Sequence, residues 1–338
     1  MEYYDFEEVV IEDRHDFALK SVEKFLSEHE LDLDKDLDYT LVLYDNDEII
    51  ATGSFKENIL KCIAVSEGFK GFGISNKIIS HLINEQYRRG YTHIFIYTKP
   101  KNGIIFRDFG FYDIEVVDKK LLLLENKRNG IKSYCDELID ESPKSDFKNI
   151  ASVVVNANPF TLGHRYLIEK ASIENDLVHV FVLWEDKSYF SNVDRYNMVK
   201  EGTKDLKNVV LHKAKDYIIS NATFPSYFIR EKNEVLKIQA VLDSKIFSRY
   251  IAKSLNITKR YVGDEPFSES TKEYNKAMKD TLKEYELTLI EVKRKEFKDI
   301  AISASKVREL FKSSALDEVK SLVPKTTYDY LLNLNKID

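Results

Sequence analysis

Ile150-Ala151-Ser152-Val153-Val154-Val155-Asn156-Ala157-Asn158-Pro159-Phe160-Thr161-Leu162-Gly163-His164 is the stretch on which the fold turns. The run Ile150–Val155 is apolar and rich in β-branched residues, without polar alternation, the pattern of a parallel strand buried on both faces. A short loop stiffened by Pro159 comes next. Thr161 stands where a helix N-cap is expected, and a helix is predicted from about Leu162 to Ser172. Gly163 in the first turn lets a bulky group approach the backbone, at a local cost of about 1 kcal/mol relative to alanine. The free N–H groups at that helix end favour an anion, and His164 projects from the same turn with a hydrogen-bond donor to offer. A capped helix with a packed histidine accounts for the same residues.

Downstream, Val178–Leu183, Val209–Leu211 and Tyr261–Val262 read as further strands with helical segments between them. Strand–helix alternation predicts a doubly wound parallel sheet, with ligands at the carboxyl ends of its strands. Upstream, residues 1–130 read as a mixed α/β unit. Helical spacing marks Phe17–His29 and Ile74–Arg88. Strands are expected at Thr40–Tyr44, Glu48–Phe55, Leu60–Val65, Ile94–Tyr97, Tyr112–Val117 and Leu121–Leu124, with a hairpin at Asp45-Asn46-Asp47 and a short helix over Gly103–Phe109. Residues 131–148, polar and interrupted by Pro143, read as a connector with some helix, and 149–338 as the second domain. The class is α/β, a mixed first domain followed by a Rossmann-like parallel sheet. At 338 residues the chain suits two domains of about 100–200 residues each.

The chain is 43% hydrophobic and 32% charged with a formal net charge of −6. That composition is globular, and its acidic balance argues against nucleic acid as a partner. No apolar run reaches the roughly 20 residues of a membrane span, and the acidic start lacks a basic-then-apolar leader pattern. The cysteines, Cys62 and Cys135, have no metal-type spacing and read as reduced thiols in a cytoplasmic protein. Aromatic segments such as Phe224-Pro225-Ser226-Tyr227-Phe228 read as core packing in preference to a partner surface.

A second constellation is Ile302-Ser303-Ala304-Ser305-Lys306-Val307-Arg308. Either serine can cap a helix, and Arg308 lies one turn beyond Ser305 on the same face, with a forked donor set suited to phosphate oxygens. A serine-capped helix with a surface arginine reads equally well from this segment by itself. Together, Thr161-Leu162-Gly163-His164 and Ile302–Arg308 resemble the paired signatures of the HxGH-type nucleotidyltransferase superfamily, in its threonine form and in its order. That resemblance implies that His164, Thr161 and Arg308 act on the ATP phosphates, and that Asn156, Asn158, Pro159, Phe160, Gly163, Ile302, Ser303 and Ser305 help to bind the nucleotide. Arg260-Tyr261-Val262-Gly263-Asp264-Glu265 resembles the strand-end segment that meets adenine or ribose in that superfamily, which implicates Gly263 and Asp264. No Gly-x-x-x-x-Gly-Lys-Ser/Thr loop occurs, which argues against a P-loop ATPase.

In the first domain, Lys70-Gly71-Phe72-Gly73-Ile74-Ser75 lies between a strand and a helix, where glycine lets backbone N–H groups approach a pyrophosphate. It resembles the coenzyme-A loop of GNAT acetyltransferases, with Lys70 in place of the usual Gln/Arg and Ser75 in place of Gly/Ala. Phe106-Arg107-Asp108-Phe109-Gly110-Phe111 resembles a later segment of that family. The resemblance implies a GNAT-like fold in which Lys70, Gly71 and Gly73 hold a coenzyme-A-like arm. No general base is evident there.

A GNAT-like domain ahead of an HxGH-type domain resembles the citrate lyase ligase family over essentially the whole chain. That resemblance implies an AMP-forming acid–thiol ligase. Acetate and ATP give acetyl-AMP and pyrophosphate; the acetyl group then passes to the thiol of the phosphoribosyl-dephospho-coenzyme A group on the citrate lyase acyl carrier subunit. It also implies Mg²⁺ bridging the phosphates, with no protein-built metal site. The alternatives are adenylylation of a phosphorylated acceptor, a GNAT protein acetyltransferase with a nucleotide-binding second domain, and a non-catalytic nucleotide sensor.

Overall fold

The hairpin at Asn46-Asp47 and the run at Ile150–Val155 lie in two separate sheets. In this computed structural model the described residues are 6–12, 16–34, 36–185, 188–219, 224–229, 232–264, 269–294, 296–297 and 300–334. The chain divides into unit 1, residues 1–130 with 225–238, and unit 2, residues 131–224 with 239–338.

Unit 1 contains β1 (Glu7–Ile11), α1 (Asp16–Glu28), β2 (Tyr39–Asp45), β3 (Glu48–Lys56), β4 (Ile59–Val65), α2 (Ile74–Arg88), β5 (Phe95–Thr98), α3 (Gly103–Asp108), β6 (Tyr112–Val117) and β7 (Leu121–Glu125). Its seven strands run in the order β1-β2-β3-β4-β5-β7-β6. The β2–β3 turn places Asn46 at φ 47° and Asp47 at φ 68°, the left-handed pair that matches the twist of a two-residue hairpin. Only β4 and β5 pair in parallel, over Ile59–Leu60 against Phe95–Ile96.

Helix α2 lays Ile74, Ile78, Ile79 and Leu82 on one face of this sheet, each burial contributing about 1.5–3 kcal/mol before entropy is subtracted. Gly53 on β3 permits that approach, because a Cβ there would stand 2.5 Å from Ile78 Cγ2. Helix α1 joins a separate cluster, with Val22, Phe25 and Leu26 buried together with Val42, Cys62 and Ala64. This is the mixed α/β architecture expected of the first half. The edge strand β1 was not foreseen. Its Glu7-Glu8 start and exposed pattern carry little apolar signal.

Unit 2 holds α4 (Gly130–Asp140, from Ile131), β8 (Ile150–Val155), α5 (Leu162–Glu174), β9 (Leu177–Val182), α6 (Asn192–Thr203), β10 (Val209–Lys213), the C-terminal part of α7 (Lys232–Ile246), β11 (Lys259–Gly263), α8 (Glu269–Glu284) and β12 (Thr288–Val292). A two-stranded pair, β13 (Glu296–Phe297) and β14 (Ile300–Ala301), precedes α9 (Ala304–Lys312), α10 (Leu316–Val319) and α11 (Lys325–Leu334). The main sheet is parallel in the order β10-β9-β8-β11-β12. From β8 the chain winds outward through β9 and β10, then crosses to β11 and β12, so the strand order reverses at β8. A crevice at the carboxyl ends of β8 and β11 is where such sheets take ligands.

The observed division departs from the expected boundaries in two places. Residues 131–148 carry most of α4 and belong to unit 2, and residues 225–238 belong to unit 1. Among the described residues no helix is long and apolar enough to cross a membrane.

Candidate functional site

The C-terminal ends of β8 and β11 deliver Asn156 and Gly263 to one cavity of about 440 Å³. The start of α5 contributes Thr161, Gly163 and His164. The entry to α9 contributes Ile302, Ser303 and Ser305. The two distant sequence signatures therefore line a single space at the reversal point of the sheet.

Thr161 is the N-cap of α5, with extended backbone, and is almost fully buried. Its hydroxyl accepts from the His164 N–H at 3.4 Å, and its own N–H donates to His164 Nδ1 at 3.1 Å. This reciprocal cap satisfies two helix-end donors and fixes the ring. With Nδ1 accepting, the proton of the neutral imidazole sits on Nε2, which is left as a donor. Burial, with Arg294 second, lowers the His164 pKa to about 4. The ring also stacks over Phe160 at 6.0 Å. A Cβ at Gly163 would only touch the Ile302 carbonyl oxygen at 3.5 Å. Gly163 thus keeps open the space between the two signatures and meets no steric bar of its own.

Arg308 joins the two segments. Its Nη1 donates to the Asn158 carbonyl at 2.6 Å and its Nη2 to Ser305 Oγ at 2.9 Å. One guanidinium thereby ties the β8–α5 loop to α9. Ser303 caps α9 by accepting from the Lys306 N–H at 3.2 Å.

The expected residues divide by position. Asn156, Thr161, Gly163, His164, Gly263, Ile302, Ser303 and Ser305 line the cavity, whereas Asn158, Pro159, Phe160, Asp264 and Arg308 lie outside its lining. Phe160 is fully buried and packs so closely on α6 that a Cβ at Gly202 would stand 2.4 Å from its ring. Pro159 is buried. Asn158 accepts the Phe190 N–H at 3.1 Å. These three anchor the loop. The Asp264 N–H donates to the Val292 carbonyl at 2.8 Å, and its own carbonyl accepts from Arg294 Nε at 2.9 Å. Glu265, named with that segment, lies outside the described residues.

Sequence reading missed three cationic residues. Lys293 and Arg294 line the cavity just past β12. They bring positive charge to a pocket in a chain whose formal net charge is −6, next to the positive end of α5. Reading Thr288–Val292 as the fifth strand would have placed both at a strand's carboxyl end. Arg195 is fully buried, and its guanidinium donates to the carbonyls of Asn156, Leu183, Glu185 and Phe190 and to Asn156 Oδ1. It holds the strand-end loops of β8 and β9 in place. Its neighbours Asp194 and Tyr196 gave no cue that it turns inward.

In unit 1, Lys70, Gly71 and Ser75 line a separate cavity of about 680 Å³. Gly71 (φ 86°) and Gly73 (φ 77°) adopt left-handed backbone, and Gly73 is the N-cap of α2. Lys70 is ion-paired with Glu67. Among the described residues no group of three or more His, Cys, Asp or Glu could hold a metal ion.

Comparison with known proteins bears on the same residues. The family model for the citrate lyase ligase C-terminal domain matches residues 150–331, which include both signatures. Citrate (pro-3S)-lyase ligase of Escherichia coli is 37% identical over 321 residues, spanning 94% of this chain and 91% of that protein. Its namesake in Haemophilus influenzae is 39% identical over 319 residues, 93% of this chain and 95% of that one. Among solved structures, Thermotoga maritima TmcAL bound with alpha-thio ATP aligns at TM-score 0.34 and 15% identity, covering 56% of each chain. With a family model over more than half its length and relatives of this identity over more than nine-tenths of it, the chain belongs to the citrate lyase ligase family.

Proposed function

We propose that this chain is an AMP-forming acid–thiol ligase that activates acetate with ATP and acetylates the thiol of the coenzyme-A-like group on the citrate lyase acyl carrier subunit. The observation that carries the reading is the meeting of Thr161–His164 and Ile302–Ser305 on one cavity at the reversal point of the parallel sheet. That cavity has the charge and donors a triphosphate needs: the α5 N-terminus, the His164 Nε2–H, two serine hydroxyls, and the cationic Lys293 and Arg294.

In the first step an acetate oxygen attacks the α-phosphorus and pyrophosphate leaves with the electrons of the broken P–O bond. The protein forms no covalent bond in this step, so it acts by positioning and by stabilising charge. The His164 Nε2–H donates to a phosphate oxygen as negative charge accumulates. In the second step the carrier thiol, losing its proton, attacks the acetyl carbonyl and AMP departs. Mg²⁺ brought with ATP would offset phosphate charge, and it would depend on the nucleotide for its place, since the described residues offer no cluster of three or more His, Cys, Asp or Glu to hold it. The Lys70–Gly73 turn and the start of α2 hold the pyrophosphate end of the carrier arm. ATP, a free thiol acceptor and buried unpaired Cys62 and Cys135 suit a cytoplasmic enzyme.

The decisive assay measures pyrophosphate release from ATP with acetate, with 4′-phosphopantetheine, and with neither. Release that depends on acetate alone is expected. Release that depends on the phosphorylated acceptor would replace this reading with a coenzyme-type adenylyltransferase. A second prediction concerns the arm. Gly73→Val puts a β-branched residue at φ 77°, so carrier acetylation should fall at least about tenfold further than acetate-dependent ATP–pyrophosphate exchange. Equal losses in a folded variant would remove the turn from arm binding.

A further inference from the structure

Strands β4 and β5 of unit 1 pair only at Ile59–Leu60 and Phe95–Ile96 before they diverge. Beyond that point each strand faces the gap with backbone groups that must find other partners. β4 is irregular there, with a register shift against β3 and Cys62 at φ 52°. A single side chain meets both edges of the gap. The Tyr227 hydroxyl donates to the Tyr97 carbonyl on β5 at 3.3 Å, and its ring packs with the cluster that holds Cys62 and Ala64 of β4.

Tyr227 belongs to the 225–238 segment of unit 1. Its carbonyl accepts the Asp32 N–H at 2.8 Å, and its ring packs with the cluster of Val42, Cys62 and Ala64 that contains α1. Gly71 and Ser75 at the start of α2, together with Tyr227 and Phe228, line the same 680 Å³ cavity. The cleft therefore has a glycine turn suited to phosphate at one part of its wall and a phenol bridging the divided strands at another. Burial raises the Tyr227 pKa well above its ordinary value, so the hydroxyl stays protonated and the bridge persists at neutral pH.

We propose that Tyr227 is the stop of this cleft and makes it selective for the free-thiol form of a pantetheine-type arm over its acylated form. The inference rests on the arm-binding reading of unit 1 given above. An acylated arm ends in a thioester carbonyl that needs a donor and extra room. The phenol's proton is already given to the Tyr97 carbonyl on β5, and the ring packs against the cluster on the β4 side. A thiol is a weak hydrogen-bonding group and tolerates an apolar end wall. Unit 1 thus holds the substrate form of the carrier and rejects the product form, which favours release after acetylation. By the same reasoning, unit 1 performs no acyl transfer of its own.

The test is calorimetric titration of the full-length protein with dephospho-coenzyme A and with its S-acetyl and S-butyryl thioesters. Wild type should bind the free thiol at least about tenfold tighter than either thioester, because a site whose polar groups are already committed rejects a ligand that must compete for them. Tyr227→Ala should bring the three ligands to within about threefold, and Tyr227→Phe, which frees the Tyr97 carbonyl but keeps the ring, should fall between. Equal wild-type binding of thiol and thioester, no wild-type binding of either, or unchanged selectivity in a folded Tyr227→Ala would each overturn the proposal. The wild-type comparison decides even where a variant does not fold. Acetate-dependent exchange measured on the same wild-type preparation separates the two readings: exchange without selectivity sinks only this inference, and selectivity without exchange sinks only the adenylation chemistry.

Discussion

Replacing His164 with alanine should lower acetate-dependent ATP–pyrophosphate exchange by about 10²–10³-fold, the loss typical of removing one donor aimed at transition-state charge, about 2.7–4 kcal/mol. The donor is the Nε2–H, because the Thr161 N–H occupies Nδ1. The loss should appear mainly in kcat, since the triphosphate keeps the α5 N-terminus, Ser303, Ser305 and the cations around it. Stability should change much less. The ring is one half of the cap at the start of α5, and losing such a cap costs about 0.5–2 kcal/mol. A folded His164→Ala enzyme with exchange within a few-fold of wild type would make the histidine a packed cap and nothing more.

The same residue predicts a pH profile. Its folded pKa, lowered to about 4 from 6.5 chiefly by burial, makes the neutral ring the native form. On acidification the unfolded chain takes up this proton first, so the stability contributed by the neutral ring is fully present above about pH 6.5 and is lost as pH falls toward 4. For catalysis, kcat/KM for ATP reports the free enzyme, so it should show no histidine inflection between pH 5.5 and 7.5. An inflection near 6.5 that disappears in His164→Ala would place the imidazole in a wetter, more polar setting than the one described.

The parts legible in the sequence are those where several local signals coincide. Ile150–Val155 has strand composition, Asn156–Phe160 breaks it, and Thr161 caps the helix that begins at Leu162, so three independent preferences fall on one loop. Ile302–Arg308 was legible in the same way. The features that escaped were set by tertiary placement. Arg195 sits among polar residues in a helix with no marked apolar face, and nothing local says that five oxygen atoms await it inside. β12 has the alternation of a half-buried strand but is short, so nothing local marks the cationic pair at its end as part of a site. Phe160 adjoins the loop that meets the cavity, and only its fit against Gly202 reveals an anchor. Tyr227 was legible as a packed aromatic. That it packs in unit 1, while the chain on either side of its segment belongs to unit 2, comes from a crossing that no periodicity encodes.

Arg308 is where the two signatures become one site, and removing it should cost nearly as much as removing His164. Its guanidinium makes two divergent bonds, to the Asn158 carbonyl and to Ser305 Oγ. Arg308→Ala leaves the Asn158 carbonyl without that charged donor, and a hydrogen bond to a charged group contributes about 1.5–3 kcal/mol. The β8–α5 loop and α9 then lose their common restraint. Exchange should fall about 10²-fold or more, because a displacement of about 1 Å in a positioned site suffices for that loss. Arg308→Lys should recover little: a single ammonium on a flexible stem does not reproduce a planar fork that spans two acceptors. Ser305→Ala alone removes one end of the fork, and its effect should be smaller. Combined with Arg308→Ala it should add less than its own loss, since residues in one hydrogen-bonded unit are not additive. Fully additive losses in that double-mutant cycle, measured by exchange, would mean that Arg308 and Ser305 act on the nucleotide separately and that the clip between the two signatures carries no catalytic weight.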